Sequence, residues 1–371
     1  MNSTPARIGT HVILIASLAV GTAGAEDAAD PPAQYQSGDI FIAAASETEP
    51  KRAEFSAPLA DQYLTDGALA WSRSKGCVSC HTNGSYLAVR ASLTSKLGPP
   101  PAEMREFFVA QTERLAGKGA AKLQSGANGA ATAYVALGLA EWDRHVIKTL
   151  SVETANALAT MLMAQNDDGA WANDDCWPPL ESDVYHSTTV AAMALATAPG
   201  WLDNLQDEAA IQKIDRLKDY LRNTEPPHDY GRVLLLWAST RMPQLMDEMQ
   251  TREVLELISS HQRDDGGWSL RTMAGPEQWG RGNRAQKLRD EPDFDNPPSD
   301  GHMTGLAVLV LRDAGVPAND PRIKAAVKWL KTNQQTSGRW WTRSLNTNTY
   351  HFITFSSTGY ALTALAKCGE L

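Results

Sequence analysis

The sequence repeats a Gln-x3-Gly-x-Trp pattern three times, each time at the end of an amphipathic stretch. The three copies are Gln165, Gly169, Trp171; Gln262, Gly266, Trp268; and Gln334, Gly338, Trp340. A glycine that follows polar residues ends a helix, because it adopts backbone conformations that other residues avoid. The Gln and Trp are six residues apart in all three copies, which chance pairs of Gly and Trp do not explain. Each copy therefore predicts a helix end followed by a loop.

After each loop comes an apolar, Ala-rich run that begins with Thr, over residues 188–196, 304–311 and 358–366. These runs are nearly free of charge and so predict helices that are buried on all sides. Two further runs, 128–140 and 230–239, fit the same plan without the loop pattern. The chain is thus predicted to be all-α, with about five hairpins of one outer and one inner helix that must stack to bury a common core.

This order of Gln/Trp loops and Thr-led inner helices resembles the terpene cyclase and prenyltransferase-like α/α-toroids, most closely the C-terminal half of squalene–hopene cyclase. The resemblance covers residues 56–371. It implies an α/α toroid, in which rings of inner and outer helices surround a central apolar cavity and the Gln/Trp loops tie helices together. A hydrophobic, isoprenoid-like molecule is the ligand that such a cavity implies.

The N-terminal residues have the pattern of a secretory signal peptide over residues 1–25, with a basic residue, an apolar stretch over 12–20 and small residues before the expected cleavage site. Because that stretch is too short to span a bilayer, we expect an exported mature chain, periplasmic or extracellular, without a transmembrane helix. Residues 26–55 are rich in Ala, Pro and acidic residues and predict a flexible lead-in. Residues 56–371 are assigned to the toroid domain.

The overall charge of the chain argues against nucleic acid as a partner. The formal net charge is −9, and the chain has no basic cluster. Nucleic acid is therefore not an expected partner.

The sharpest chemical motif is Cys77-x-x-Cys80-His81, in residues 77–81. It is the attachment motif of c-type haem, in which both thiols bond to the haem vinyl groups and the His supplies an axial nitrogen to the iron. An exported setting favours haem c as the cofactor, whereas a disulfide or redox pair and a zinc site are the alternatives. The motif takes the place of a first Gln/Trp loop beside the expected cavity mouth. A distal haem ligand is therefore sought at inner-helix starts, with His302 preferred and His186 second.

The resemblance also implies a test for cyclase chemistry. Squalene–hopene cyclase-like enzymes protonate an alkene with an Asp-x-Asp-Asp motif just before a Thr-Ala inner helix. With Thr304 aligned on that Thr, Asp300 is the surviving acid and His302 takes the place of the proton donor. An alkene needs a very strong acid, for which imidazolium is a poor substitute. Asp300 and His302 are therefore only weak catalytic candidates, and the catalytic residues stay unassigned.

The segment around His186 is similar to the Asp-x-Tyr-His-Thr segment of protein prenyltransferase β-subunits, whose His binds catalytic zinc with an Asp and a Cys. Asp174 and Cys176 lie nearby in the sequence, which gives a weak zinc alternative of Asp174, Cys176 and His186. Their order and separation depart from that family, so zinc is not the expected cofactor. Cys176 and Cys368 are also candidates for a disulfide in an oxidising compartment.

These features together predict an exported, squalene cyclase-like toroid protein that carries covalent haem c beside a hydrophobic cavity. The predicted role is redox chemistry or the binding of an apolar, isoprenoid-like molecule, with that molecule or a redox protein as partner. Two alternatives stay open, a terpene cyclase with a non-standard acid and a non-catalytic binding or scaffold protein. If the protein is an enzyme, it is an isomerase or a haem-dependent oxidoreductase.

Overall fold

The computed structural model describes residues 32–175 and 177–371, which are predominantly helical. Two short strands come first, β1 (Ala33–Ser37) and β2 (Ile40–Ala43). The helices are, in chain order, α1 (Ala57–Lys75), α2 (Ser85–Arg90), α3 (Thr94–Leu97), α4 (Ala102–Ala116), α5 (Ala120–Leu123), α6 (Ala127–Trp142), α7 (Val152–Met163), α8 (Val184–Thr197), α9 (Glu208–Asn223), α10 (Asp229–Ser239), α11 (Glu248–Ser260), α12 (Ala285–Arg289), α13 (Gly301–Asp313), α14 (Pro321–Thr332) and α15 (Ile353–Lys367). In this part of the chain, none of the helices has the length and apolar character needed to cross a membrane.

In the described part of the chain, six helices form a closed inner ring. Helices α2, α6, α8, α10, α13 and α15 each pack against the next, and α15 returns to pack against α2. Six outer helices, α1, α4, α7, α9, α11 and α14, surround this ring and alternate with the inner helices along the chain. The fold is therefore an α/α toroid of six hairpins. The hairpin missed by the sequence joins α1 to α2, whose six residues are too few to show a helical period.

Burial separates the two rings of helices. In inner helix α15, every residue from Ile353 to Leu365 is buried. In outer helix α9, the buried residues recur every three or four positions, at Ala210, Ile214, Leu217 and Leu221. A single apolar stripe packs an outer helix on the ring and leaves its other faces in solvent. The predicted contrast between buried and amphipathic helices is therefore present in the fold.

The three Gln/Trp loops share one set of hydrogen bonds. Each indole N–H donates over 2.7–2.8 Å to a carbonyl in the last turns of the preceding outer helix: Trp171 to Met161, Trp268 to Ile258, and Trp340 to Leu330. Each Gln amide donates to the carbonyl of its own loop glycine and to the backbone at the next outer helix, at Lys213, Arg322 and Ser56 respectively. The loops thus fasten one hairpin to the next.

The third loop closes the toroid. The Gln334 amide donates to the Ser56 carbonyl at 2.9 Å, and the Ser56 backbone N–H donates to Gln334 Oε1 at 2.7 Å. Gly338 lies against the same helix with φ +93, where an added Cβ would come within 2.5 Å of the Leu59 backbone. Only glycine combines this backbone conformation with so close an approach. The last hairpin is thereby joined to the first.

The segment before the toroid forms a β-hairpin, which differs from the flexible lead-in expected for residues 26–55. Strands β1 and β2 pair antiparallel, and Tyr35 on β1 packs against Trp71 and Phe355 with 2% of its surface exposed. Further along, Glu49 forms a largely buried ion pair with Arg339. One buried aromatic ring and one buried ion pair hold this segment on the toroid. Neither feature leaves a periodic pattern in the sequence, which explains why the packing was not predicted.

Two of the predicted features fall on positions that the structure leaves out. The predicted signal peptide over residues 1–25 and Cys176 both lie outside the described residues. The proposed disulfide between Cys176 and Cys368 is therefore described only at Cys368, which is half-buried just after α15.

Candidate functional site

The Cys-x-x-Cys-His segment connects outer helix α1 to inner helix α2. Helix α1 is capped by Gly76 in the left-handed conformation, with φ 61. Cys80–Gly84 then form one π-helical turn that leads directly into α2. The segment therefore lies where a Gln/Trp loop lies in other hairpins. We call the end of the toroid where the inner helices begin the amino mouth, and the end where they finish the carboxyl mouth.

Asn83, which is fully buried, fixes the shape of this segment. Its Oδ1 accepts a hydrogen bond from the Ser79 backbone N–H at 2.8 Å, and its Nδ2 donates to the Cys77 carbonyl at 3.1 Å and to Ser72 Oγ at 3.0 Å. The Trp71 indole donates to the same Cys77 carbonyl at 3.2 Å. Asn83 was not singled out from the sequence, where its only signal is that it follows the motif.

His81 lies in a shell of aromatic rings. Its imidazole stacks on Phe352 at 4.8 Å between ring centres, meets Trp71 edge-on at 4.9 Å and contacts Trp177 at 5.4 Å. Burial among these rings lowers the pKa of His81 from 6.5 to about 3, so the imidazole is neutral at physiological pH. The neutral imidazole is the form that binds metals.

One nitrogen of His81 is held by a hydrogen-bond chain. Nδ1 lies 2.9 Å from Thr82 Oγ1, which in turn lies 3.1 Å from the Tyr35 hydroxyl. When the proton is on Nδ1, His81 donates to Thr82, Thr82 donates to Tyr35, and the lone pair is on Nε2. Tyr35 belongs to β1, so the hairpin before the toroid takes part in orienting the histidine.

The two thiols of the motif lie in different surroundings. Cys77 is half-buried, whereas Cys80 is 5% exposed. Cys80 is near Tyr134 and Tyr360, since burial first and the charge of Cys80 next raise the pKa of both phenols. Cys80 therefore lies on the side of the toroid axis, and Cys77 lies nearer the solvent.

The donor set of this segment fits haem c. Two thiols precede a neutral imidazole whose Nδ1 is anchored, and apolar rings surround it. The rings of Phe352 and Trp177 occupy the space beside His81, and both residues precede or lie between helices. A porphyrin beside His81 would need the space that these two rings fill.

His302, the preferred distal ligand, has no uncommitted nitrogen. Its Nδ1 donates to Ser356 Oγ at 3.2 Å, because the proton of Ser356 goes to the Ile353 carbonyl. Its Nε2 accepts from the Tyr230 hydroxyl at 2.9 Å. Burial lowers the pKa of His302 to about 3. The structure therefore disfavours His302 as a ligand.

His186, the second candidate, keeps one nitrogen available. Its Nε2 hydrogen-bonds with the Tyr134 hydroxyl at 2.9 Å, whereas its buried Nδ1 makes no hydrogen bond of normal geometry with any described residue and has only a weaker interaction with the Pro179 backbone. Burial lowers the pKa of His186 to about 4. Of the two distal candidates, His186 is therefore the one that could bind a metal without first losing a hydrogen bond.

Each of the six described hairpins places one ionisable side chain around the axis, between the amino mouth and the middle of the inner helices. We call this set the axial ring; its members, in chain order, are Cys80, Tyr134, His186, Tyr230, His302 and Tyr360. The Tyr and His rings alternate, and neighbouring ring centres lie 5.0–6.4 Å apart. All six side chains are at most 6% exposed. Burial raises the pKa of the phenols and lowers that of the imidazoles, so both stay uncharged.

The weak catalytic candidate Asp300 caps helix α13. Its Oδ1 accepts from the Met303 backbone N–H at 2.9 Å, and its Oδ2 accepts from the Leu270 backbone N–H at 2.6 Å. Burial raises its pKa, although these N–H groups oppose the shift. In the described residues no hydrogen bond joins Asp300 to His302, so the structure does not make an acid pair of them.

The residues of the weak zinc alternative are also engaged elsewhere. Asp174 lies beside Gly126 at the start of α6, and His186 is hydrogen-bonded to Tyr134. Cys176, the third member, lies outside the described residues. Among residues 32–175 and 177–371, no three His, Cys, Asp or Glu side chains gather into a group that could hold a metal ion.

A cavity of about 210 Å³ opens on the axis at the carboxyl mouth. All six inner helices or the residues that directly follow them line it, and the residues include Val89, Glu141, Thr197, Trp237, Arg241, Asp313 and Lys367. Its wall is therefore charged, whereas the resemblance implied an apolar cavity. The cavity also lies at the opposite end of the toroid from the Cys-x-x-Cys-His segment. On the side of the amino mouth, the axial ring fills the axis.

Comparison with known proteins gives a distant structural likeness. No family model and no curated protein sequence matches the chain. Among solved structures, it is similar to the type II terpene cyclase MstE from Scytonema in complex with geranylgeranyl dihydroxybenzoate, with 14% identity, a TM-score of 0.43, and 85% of this chain and 100% of that chain covered. The apo form of MstE matches with 13% identity, a TM-score of 0.42, and coverage of 84% and 99%. These values are too low to transfer a function, and the toroid is established by the closed ring of inner helices.

Proposed function

We propose that this chain is an exported redox protein that carries haem c at the amino mouth of its toroid. Cys77 and Cys80 would hold the porphyrin through two thioethers, each the product of an S–H adding across a vinyl group, and His81 Nε2 would bind the iron. The observation that supports this best is the neutral imidazole of His81, anchored through Nδ1 and placed directly after the thiol pair. Export is supported by the signal-peptide pattern of residues 1–25.

The residues around His81 have defined roles in this proposal. Haem supplies one-electron redox chemistry when it is bound. Thr82 and Tyr35 fix the Nδ1–H of His81, which orients the ring and increases the basicity of Nε2. Trp71 would keep water away from the imidazole, and exclusion of water is one of the factors that set a reduction potential.

His186 is the proposed distal ligand, in place of His302. It is the candidate with an uncommitted ring nitrogen, and its Tyr134 partner lies next to Cys80. We expect the low-spin absorption spectrum to change in His186→Leu and to persist in His302→Leu. A spectrum that changes only in His302→Leu would reverse the assignment.

Haem staining after expression in a host that matures cytochromes c tests the proposal directly. The exported wild-type chain and Cys368→Ser should give a peroxidase-active, coloured band on a denaturing gel, because thioethers survive denaturation. The double variant Cys77→Ser/Cys80→Ser should give none. Cys368 is the matched control, since it is half-buried and follows α15 at the carboxyl mouth. An exported wild-type chain without a stained band overturns haem attachment.

The same samples separate the haem from a thiol pair. An unstained protein that hides two thiols from alkylation until it is reduced, and that loses this behaviour in Cys77→Ser, carries a disulfide or redox pair instead. An unstained protein with two reactive thiols and no other activity corresponds to the binding or scaffold alternative.

A second candidate function is cyclisation of an isoprenoid, and the raised pKa of Asp300 favours it. Burial of a carboxyl group, which raises its pKa, is one element of an acid that protonates an alkene. Incubation with squalene or a shorter polyprenyl substrate, followed by product analysis, tests this function. Cyclic products should be lost in Asp300→Asn with its helical circular dichroism unchanged, and a wild-type chain that forms no product removes this candidate.

A further inference from the structure

We infer that the cavity at the carboxyl mouth binds a small organic anion, a carboxylate or phosphate monoester with a short apolar part. This site is separate from the Cys-x-x-Cys-His segment and does not depend on haem. The cavity lies on the axis, has a volume of about 210 Å³ and is bounded by all six inner helices or the residues that follow them. The inference rests on which of its charged groups already have partners.

The two acids of the cavity are fully matched within the protein. Glu141, which is 1% exposed, pairs with Arg241 and with His145 Nε2 at 3.2 Å. Although burial opposes it, these partners hold the pKa of Glu141 below its usual range, so the carboxylate is ionised. Asp313 accepts from the Trp237 indole at 3.1 Å and from Lys367 Nζ at 2.5 Å. Neither acid is therefore left to bind a cationic ligand.

The basic groups, in contrast, have donors left over. The side chain of Arg144 makes no ion pair or hydrogen bond with any described residue, and it lines the cavity. Arg241 uses only Nη1, toward Glu141 and Thr197, and its guanidinium lies over the Trp237 ring. A guanidinium has five N–H donors in a planar fork that matches a carboxylate or phosphate. These unused N–H donors therefore favour a ligand that has several hydrogen-bond acceptors.

The charges of the side chains that line the cavity also favour an anionic ligand. Arg144, Arg241 and Lys367 carry three positive charges, and Glu141 and Asp313 carry two negative charges, so one positive charge is in excess. The inner helices also end at this mouth, and their carbonyl ends add partial negative charge at its rim. The guanidinium groups carry full charges on the cavity wall itself. An anion inside the cavity is therefore affected more by them than by the partial charges of the helix ends at the rim.

Size and the remaining wall define the rest of the ligand. Val89 and Leu309 contribute an apolar surface beside the Trp237 ring. An engineered cavity of roughly 150 Å³ in another protein holds a benzene molecule, so this cavity accommodates a ligand on the order of ten non-hydrogen atoms. A short alkyl or single-ring anion fits, whereas a long polyprenyl chain does not.

Isothermal titration calorimetry at low ionic strength tests the site with four probes: hexanoate, inorganic phosphate, the neutral hexanamide and the cationic hexylammonium. We expect hexanoate to bind, hexanamide and hexylammonium to give no saturable heat, and the comparison with phosphate to show whether a carboxylate or a phosphate is the better head group. Because charge-assisted Arg contacts are strong, Arg144→Gln should weaken hexanoate binding by about tenfold or more. Arg144 is exposed, so its substitution does not endanger the fold.

Arg252→Gln is the matched control, since Arg252 is an exposed arginine on outer helix α11. It should bind hexanoate like the wild type. The inference is overturned if neither hexanoate nor phosphate binds at millimolar concentration, if hexanamide or hexylammonium binds as well as hexanoate, or if the two arginine variants lose affinity equally.

Discussion

The two mouths of the toroid have opposite chemistry although the same six hairpins build both. At the amino mouth, the Tyr and His side chains of the axial ring are buried and uncharged, and two hydrogen bonds pair four of them, Tyr134 with His186 and Tyr230 with His302. At the carboxyl mouth, ionised side chains such as Glu141 and Arg241 surround a cavity. One end of the axis is therefore filled and neutral, and the other is open and charged.

This difference follows from access to water. A charge without a partner is costly in a dry interior, so the filled end carries groups that can be neutral, and four of its rings pair through hydrogen bonds instead. The open end tolerates full charges because they form ion pairs and partly reach solvent. The two ends therefore suit different ligands. A neutral imidazole beside a thiol pair suits a haem iron, whereas free guanidinium donors suit an anion.

The largest expected effect is a loss of stability at acidic pH. It tests whether the imidazoles of the axial ring are uncharged at neutral pH. The pKa of His186 is about 4 and that of His302 about 3 in the fold, below the 6.5 of an unfolded chain. Their contribution to stability is thus complete above pH 6.5 and is lost as the pH falls toward 4 and 3. In the chain without haem, the free energy of unfolding should fall from pH 7 to pH 5 by about 2 kcal/mol for each of these two histidines. His81 and His351 add to this loss, because burial also lowers their pKa values, to about 3 and about 4. Urea unfolding at the two pH values measures it.

Two variants give this prediction its control. Between pH 7 and pH 5, His302→Gln should lose about 2 kcal/mol less than the wild type, even if it starts out less stable. His261→Gln, at the end of outer helix α11, should keep the full acid sensitivity. Equal acid sensitivity in all three proteins would mean that the axial ring is not the source.

The second effect belongs to the carboxyl mouth and has the opposite dependence on pH. Arg241→Met leaves the buried carboxylate of Glu141 without its main partner, which should destabilise the protein by about 3 kcal/mol at pH 7. Without Arg241, burial raises the pKa of Glu141 above its unfolded value, so the folded state gains a proton and stability as the pH falls. The gap between Arg241→Met and the wild type should therefore narrow from pH 7 to pH 5, as urea unfolding would show. A difference in stability that grows as the pH falls would contradict the ion pair between Arg241 and Glu141.

The sequence predicted the parts of this molecule that repeat locally. A loop after each outer helix and an inner helix after each loop follow from spacing within one hairpin. The glycines were wrongly expected to end the helices: the outer helices end earlier, at Met163, Ser260 and Thr332, and Gly169, Gly266 and Gly338 turn the loops with positive φ. The place of the Cys-x-x-Cys-His segment between an outer and an inner helix was also predicted. Helix α2 was missed because it is only six residues long.

What the sequence could not predict depends on contacts between distant hairpins. Tyr134, His186 and Tyr230 are about 50 residues apart, and only the closure of the toroid makes them neighbours on the axis. Asp300 resembled a surviving catalytic acid, yet its position before α13 is also that of a helix cap, and the structure gives it that role. The charged cavity was missed since its residues lie at helix ends, where basic side chains are common for another reason.

The smallest effect returns to the amino mouth and tests how its neutral groups are held. Tyr230→Phe removes the hydroxyl that donates to His302 Nε2 and leaves a fully buried nitrogen without a partner. An unpaired buried acceptor costs about 1–3 kcal/mol, and we expect a loss near the middle of that range because the rest of the ring keeps its packing. Tyr350→Phe is the control, because Tyr350 is exposed and stacks on Phe352 through its ring alone. Urea unfolding should show a loss in the first variant and none in the second. If the two variants are equally stable, the hydrogen bond to His302 adds nothing, and the axial ring is held by packing alone.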